Sequence, residues 1–119
     1  MRKETEIHKN MISGEIEIKT LYFIHAERDS ISLGDDIYAP NGKDISFEKK
    51  DKLSDFLNKL MNNYLNTLHN NCKWKIIANN MVLGYIKYSP EENAKYELAI
   101  PDDFIINLNI ESVYCSNKG

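Results

Sequence analysis

The sequence lacks the residue patterns typical of metal, redox and membrane proteins. Its only two cysteines, Cys72 and Cys115, lie far from each other and from any pair of histidines, which argues against a zinc site. No apolar run approaches the roughly 20 residues that span a bilayer. Residues 1–14 carry charges but no apolar segment, which argues against a signal peptide. We therefore expect a cytoplasmic protein, or one delivered by a route that the sequence does not show.

The sequence also contains no recognisable catalytic motif. No serine lies in a GxSxG elbow, and no glycine-rich phosphate loop is present. The three histidines, His8, His25 and His69, do not have metal-ligand spacing. His25 follows an apolar segment and suits either a general base or a structural or surface role. Cys72 precedes Lys73, which is compatible with a lowered thiol pKa, but no signature of a cysteine enzyme surrounds it. We predict no enzymatic activity, no cofactor and no metal.

The charge balance is mildly acidic. Eighteen acidic and fifteen basic residues give a net charge of -3. Direct nucleic-acid binding is disfavoured, because phosphate contacts need a basic face. The acidity suits a basic protein partner, but it is also the ordinary state of bacterial cytosolic proteins. The 119 residues predict one domain, 1–119, which folds without a metal or a disulfide and leaves both cysteines as packing residues.

The clearest predicted element is an amphipathic helix over residues 51–69. Asp51 is well placed as N-cap, and asparagines at positions 70 and 71 suit the end of the helix. The apolar residues follow the helical repeat on one face, at Leu53, Phe56, Leu57, Leu60, Met61, Tyr64, Leu65 and Leu68.

Alternating or apolar segments on both sides of this helix predict strands. They cover residues 15–24, 30–33, 44–48, 74–78, 82–88 and 96–100, with two further short candidates at 104–108 and 113–114. Asn79 and Asn80 predict a tight hairpin turn. Residues 1–14 form either a loose N-terminal arm or an extra edge element. The predicted fold is α+β, with a mixed or antiparallel sheet of about five or six strands and one helix on one face, in a β-grasp-like arrangement.

An acidic loop at residues 34–36 is the most conspicuous polar cluster. It is compatible with a solvated turn, a contact surface for a basic partner, or a divalent-cation site, although no clear set of further oxygen ligands lies near it. Tyr38 in the same loop and Tyr85 on a predicted strand are compatible with an interface, or with the ordinary preference of tyrosine for strands.

One stretch resembles a known family. The segment GDDIYAP at residues 34–40 is followed by the strand with Ile45 and Phe47, by the helix with NYL at residues 63–65, and by the strand with Trp74. Over roughly residues 33–88 this pattern resembles the small immunity proteins of bacterial toxin systems, such as those of contact-dependent growth inhibition.

The resemblance implies a protein that binds a cognate toxin domain in the cytosol and blocks its active or substrate-binding surface. Such toxins are often basic nucleases, and a mildly acidic inhibitor suits them. The alternatives are a β-grasp-like adaptor or scaffold with no toxin partner, and a small enzyme using His25 or a cysteine. We expect the partner-binding residues to be Asp29, Asp35, Asp36, Tyr38, Asp102 and Asp103.

Overall fold

The computed structural model describes residues 1–29, 42–67 and 72–118. The described residues form one α-helix, α1 (Leu53–Asn63), and two short 3-10 helices, Leu65–Thr67 and Ile105–Leu108. The strands are β1 (Arg2–Lys9), β2 (Ile16–Arg28), β3 (Gly42–Phe47), β4 (Cys72–Ala78), β5 (Met81–Tyr88), β6 (Lys95–Leu98) and β7 (Ser112–Asn117). The strand predicted at 30–33 and the acidic loop at 34–36 lie outside the described residues.

The strands form one mixed sheet, which confirms the α+β prediction. Its main body has the order β3-β2-β7-β4-β5-β6, in which only the β2–β7 pair is parallel. The group β3-β2-β7-β4, with its central parallel pair and with α1 connecting β3 to β4, is the β-grasp-like part. Strands β5 and β6 extend the sheet on one side. Strand β1 pairs with the first half of β2 and brings the total to seven, above the predicted five or six.

Helix α1 packs on one face of this sheet, as its apolar repeat predicts. Its buried residues are Leu53, Phe56, Leu57, Leu60 and Met61. The sheet buries its alternate residues beneath them, among which Ile24, Phe47, Trp74, Ile76 and Ile86 are fully enclosed. Each large side chain removed from water in this way contributes about 1.5–3 kcal/mol. The buried residues of the helix and of the sheet form one cluster, which is the hydrophobic core.

Both predicted ends of the helix are wrong. The helix begins at Leu53 with Lys52 as N-cap, because the Asp51 carboxylate instead accepts from the Glu48 backbone N–H at 2.8 Å, in the preceding turn. It ends at Asn63, after which the chain tightens into the 3-10 turn Leu65–Thr67. Residues 68–71 lie outside the described part.

The tight turn predicted between β4 and β5 is confirmed. Asn79 and Asn80 have φ values of 52° and 61°, the left-handed conformation that a two-residue hairpin turn of this kind requires. Further along, residues 105–108 form a 3-10 helix rather than a strand. The segment predicted only at 113–114 is the six-residue strand β7, between β2 and β4.

The N-terminal residues have regular structure. Residues 2–9 form β1, which pairs antiparallel along residues 16–23 of β2, so this segment is an edge strand and not a loose arm. No helix in the described residues is long and apolar enough to cross a membrane.

Candidate functional site

The side of the sheet opposite α1 is not covered by any described element, and we call it the open face. Residues that alternate with the core positions point to this side because successive strand side chains alternate between faces. Strand pairing places His25 between Asp44 on β3 and Ser112 on β7, and it places Glu27 beside Tyr114. The open face thus comprises Phe23, His25, Glu27, Asp44, Lys73, Lys75, Ile77, Tyr85, Lys87, Lys95, Glu97, Ser112 and Tyr114.

The half of the open face on β2, β3 and β7 is dominated by carboxylates around His25. The His25 ring lies 2.9 Å from Asp44 through Nδ1 and 3.3 Å from Glu27 through Nε2. Arg2 adds a second cation, with its guanidinium 3.0 Å from the other Asp44 oxygen. The hydrogen bond with Asp44 raises the pKa of His25, and the same bond lowers the pKa of Asp44. Both ring nitrogens of His25 therefore contact carboxylates, and the protonated ring satisfies both.

Two shallow depressions flank His25 and open onto solvent. The first, of about 250 Å³, is lined by His25, Glu27, Ile77, Ser112, Val113 and Tyr114. The second, of about 330 Å³, is lined by Met1, Arg2, Phe23, His25, Asp44 and Glu111. Their residues come from five strands and from Met1 and Glu111, and the shape suits contact with a protruding surface.

Asp29, the first of the predicted contact residues, lies at the border of this acidic half. Its carboxylate accepts hydrogen bonds from the Tyr114 hydroxyl and, at 2.9 Å, from the backbone N–H of Asn117. The Tyr114 bond is the main cause of a lowered pKa for Asp29. Asp29 therefore fixes the end of β2 to β7 and keeps its negative charge beside Tyr114. Asp35, Asp36 and Tyr38 lie outside the described residues.

Asp102 and Asp103 lie elsewhere, at the N-terminal end of α1. Asp102 accepts from the Ser54 backbone N–H at 2.9 Å, and the Asp103 carbonyl accepts from the Leu53 N–H at 2.9 Å. Asp29 follows Arg28, whose guanidinium lies over the ring of Tyr64 at the other end of the helix. An eleven-residue helix is about 16 Å long, so the structure does not bring Asp29 together with Asp102 and Asp103.

The other half of the open face is basic. Lys73, Lys87 and Lys95 occupy directly opposite positions on β4, β5 and β6, which places three like charges in one row. The ring of Tyr85 lies beside this row, with the Lys73 ammonium 4.6 Å from its centroid. The open face thus has two halves. The half at β2–β3–β7, which we call the acidic half, presents exposed carboxylates that pair with His25, Arg2 and the Met1 amino group, and the half at β4–β5–β6 is basic.

The two cysteines belong to the core. Both are free thiols and both are buried, in line with the packing role predicted for them. Burial raises the pKa of Cys115 to about 12 and also raises that of Cys72. The lowered thiol pKa suggested by the neighbouring Lys73 is therefore wrong for Cys72, because burial raises its pKa and outweighs the lowering effect of a hydrogen bond with Trp74.

Sequence reasoning missed most of the acidic half. Glu27, Asp44 and Glu111 were not singled out, because each is one carboxylate among eighteen acidic residues. A usable signal was present in β2, where Phe23, His25 and Glu27 alternate with the core residues Ile24 and Ala26. Within the described residues, no group of three or more His, Cys, Asp or Glu side chains is arranged to hold a metal ion.

Comparison with known proteins gives no matching family model, no matching curated protein and no matching solved structure.

Proposed function

We propose that this chain binds a cognate bacterial toxin domain in the cytoplasm and neutralises it by covering its active or substrate-binding surface, without catalysis of its own. The expected toxin is a basic protein, in the first place a nuclease. The observation that carries this proposal is the acidic half of the open face. Glu27 and Asp44 lie beside His25, Glu111 lies at the edge of this half beside the Met1 amino group, and no described element covers the sheet there.

The position of these groups suits binding to a basic surface. Glu27 and Glu111 are well exposed, with side-chain relative accessibilities of 60% and 86%. They stand on paired strands or beside them, so a partner would meet side chains whose backbone is already ordered, which lowers the entropy cost of association. Tyr114, 41% exposed, adds an aromatic side chain of the kind enriched at interfaces.

The electrostatics predict a division of roles. Exposed carboxylates on the acidic half accelerate encounter with a cationic toxin, and this effect weakens as salt screens the charges. The lifetime of the complex depends on groups that lose their water at the centre of the contact, for which Tyr114 and the depressions beside His25 are the candidates. The lysine row at β4–β5–β6 repels a basic partner and confines it to the acidic half.

The decisive experiment is co-expression with the toxin domain encoded immediately upstream of this chain. We expect cell survival together with a complex that co-purifies. Survival without a complex, or no survival, would contradict the proposal. Capture of a different protein, with no protection, would favour the alternative of a β-grasp-like adaptor.

A charge-reversal pair then locates the interface. Glu27→Lys with Glu111→Lys should slow association with the toxin by at least about tenfold at low salt and reduce its salt dependence. The matched control is Glu15→Lys with Glu91→Lys, which changes the net charge equally at exposed positions outside the open face. Asp35→Lys with Asp36→Lys tests, in the same assay, the acidic loop predicted from the sequence. Equal rates for the open-face pair and its control would remove this face from the interface.

A further inference from the structure

The first two strands form a hairpin that extends beyond the body of the domain. We call residues 2–21, comprising β1, the turn and the first part of β2, the hairpin arm. Strand β3 begins to pair with β2 only at Tyr22, opposite Phe47, so the described sheet is two-stranded along the arm. Residues 2–19 are all exposed, and the domain measures 51 × 32 × 26 Å. No described element covers the arm, although an isolated two-stranded hairpin is only marginally stable in water.

One face of the hairpin arm continues the core face of β2 into solvent. Along β2 the positions of Ile16, Ile18, Tyr22 and Ile24 all point to the helix side of the sheet. Ile24 is fully buried beneath α1, whereas Ile18 is 67% exposed and Ile16 is 66% exposed. Ile7 on β1 lies directly opposite Ile18 and is 71% exposed.

The turn at the tip of the arm holds two further exposed apolar residues. Met11 and Ile12 in the turn are 90% and 98% exposed. With the three isoleucines they present on the order of 600 Å² of apolar surface, at the top of the range for the largest patch on a monomer and close to the roughly 800 Å² per partner of a standard interface.

We propose that this apolar face packs against the same face of a second copy of the chain, giving a two-fold symmetric dimer. The surface is self-complementary, because between Lys3 and Lys9 this face carries only isoleucines and threonines. The charges on this face are the lysines at its two ends, Lys3 opposite Tyr22 and Lys9 opposite Ile16, whose long side chains reach past the edge of the contact into water. The arm as a whole holds four basic and four acidic residues, so two arms approach without net repulsion: Arg2, Lys3, Lys9 and Lys19 against Glu4, Glu6, Glu15 and Glu17.

The position of this apolar face favours a second copy of the chain over the toxin as its partner. The apolar face lies on the helix side of the sheet, whereas the acidic half lies on the open face. Dimerisation therefore leaves the acidic half accessible in both protomers. The arm also needs cover whether or not a toxin is present, and another copy of the chain is the partner that is always available. This inference does not depend on the proposed function.

The test is the mass of the purified chain in solution, measured by sedimentation velocity and light scattering from about 1 μM to 500 μM, a range that covers ordinary dimer affinities. We expect twice the chain mass of 13.8 kDa at the upper concentrations. The variant Ile7→Thr with Ile18→Thr keeps β-branched side chains and should raise the dissociation constant at least tenfold. Its control, His8→Thr with Glu17→Thr, changes an in-register pair on the other face of the arm and should dimerise as wild type.

A monomer throughout this range, or equal dissociation constants for variant and control, would overturn the dimer. Circular dichroism establishes that each variant is folded, and the wild-type masses decide the question if the isoleucine variant is not. Toxin neutralisation is measured separately. A monomer that still neutralises the toxin would contradict only the dimer, and a dimer that does not neutralise would contradict only the proposed function.

Discussion

Asp102 caps the first turn of α1 through Ser54, a residue 48 positions earlier in the chain. One oxygen of its carboxylate accepts from the backbone N–H of Ser54 at 2.9 Å, and the other accepts from the Ser54 hydroxyl at 2.7 Å. These bonds lower the pKa of Asp102. Asp102, which we expected to contact a partner, thus already accepts a hydrogen bond from a backbone N–H in the first turn of α1.

This arrangement predicts a stability effect for Asp102→Ala. Loss of a helix cap costs about 0.5–2 kcal/mol, so the free energy of unfolding in urea should fall by about 1 kcal/mol at pH 7. Because the folded-state pKa is lowered, the contribution is present above the unfolded pKa and should fade as the pH falls through the folded value. Glu91→Ala, in an exposed loop, is the control. Toxin neutralisation lost with unchanged stability would instead favour a direct contact by Asp102.

The pairing of His25 with Asp44 predicts a pH-dependent stability difference. The folded-state pKa of His25 is raised, so its contribution is full below the unfolded value near 6.5 and is lost as the pH rises through the folded value. The urea midpoints of wild type and His25→Gln should therefore differ most below the unfolded pKa and converge as the pH rises above the folded pKa. The cycle with Asp44→Asn isolates the pair, and a difference that is independent of pH would contradict an ionic role.

Close packing at Gly84 predicts that even a methyl group destabilises the fold. A Cβ at this position would lie 2.5 Å from the Glu97 carbonyl oxygen and 2.9 Å from Leu57 Cδ1. Because the first neighbour is backbone, Gly84→Ala should cost about 1–3 kcal/mol in urea unfolding. Gly14→Asn is the comparison, since Gly14 has φ of 75° in open space and asparagine tolerates that conformation. Similar stabilities for these two variants would show that β5 and α1 do not approach so closely.

The lysine row on the open face predicts a stabilising substitution. Lys87 stands directly between Lys73 and Lys95, and like charges at opposed strand positions repel one another. Lys87→Glu should raise the free energy of unfolding by about 0.2–1 kcal/mol at low salt, with a smaller gain at high salt. Lys87→Gln separates relief of repulsion from new attraction. A loss of stability in both variants would indicate that the alkyl chain of Lys87 matters more than its charge.

Local pattern was enough to predict the buried face of α1 and the Asn79–Asn80 turn. Both depend on residues close together in sequence, through the 3.6-residue repeat and the backbone preference of asparagine. The start of the helix was mispredicted because Asp51 instead accepts from Glu48, while Asp102, which bonds the first turn, is remote in sequence. The position of β7 was not predicted either. The apolar residues Val113 and Tyr114 indicate a strand, but they do not indicate that it pairs with β2 and β4.

The same limit applies to the candidate site. Asp29 was selected from its charge and loop position, but its bond with Tyr114 depends on the β2–β7 pairing. His25 and Asp44 meet only because the register of β2 against β3 aligns them. A single sequence shows which face of a strand a residue occupies, but not which residue stands opposite it.

Strand β7 is the last of the described strands in the sequence, yet it lies between β2 and β4 in the middle of the sheet. During synthesis, the other described strands leave the ribosome before the one that joins the two halves of the sheet. Until residues 112–117 emerge, β2 and β4 lack the strand that lies between them, and the β-grasp-like core cannot close. Between the emergence of β4 and that of β7, a nascent chain therefore exposes two incomplete hydrophobic surfaces, the state in which chaperones recognise a client.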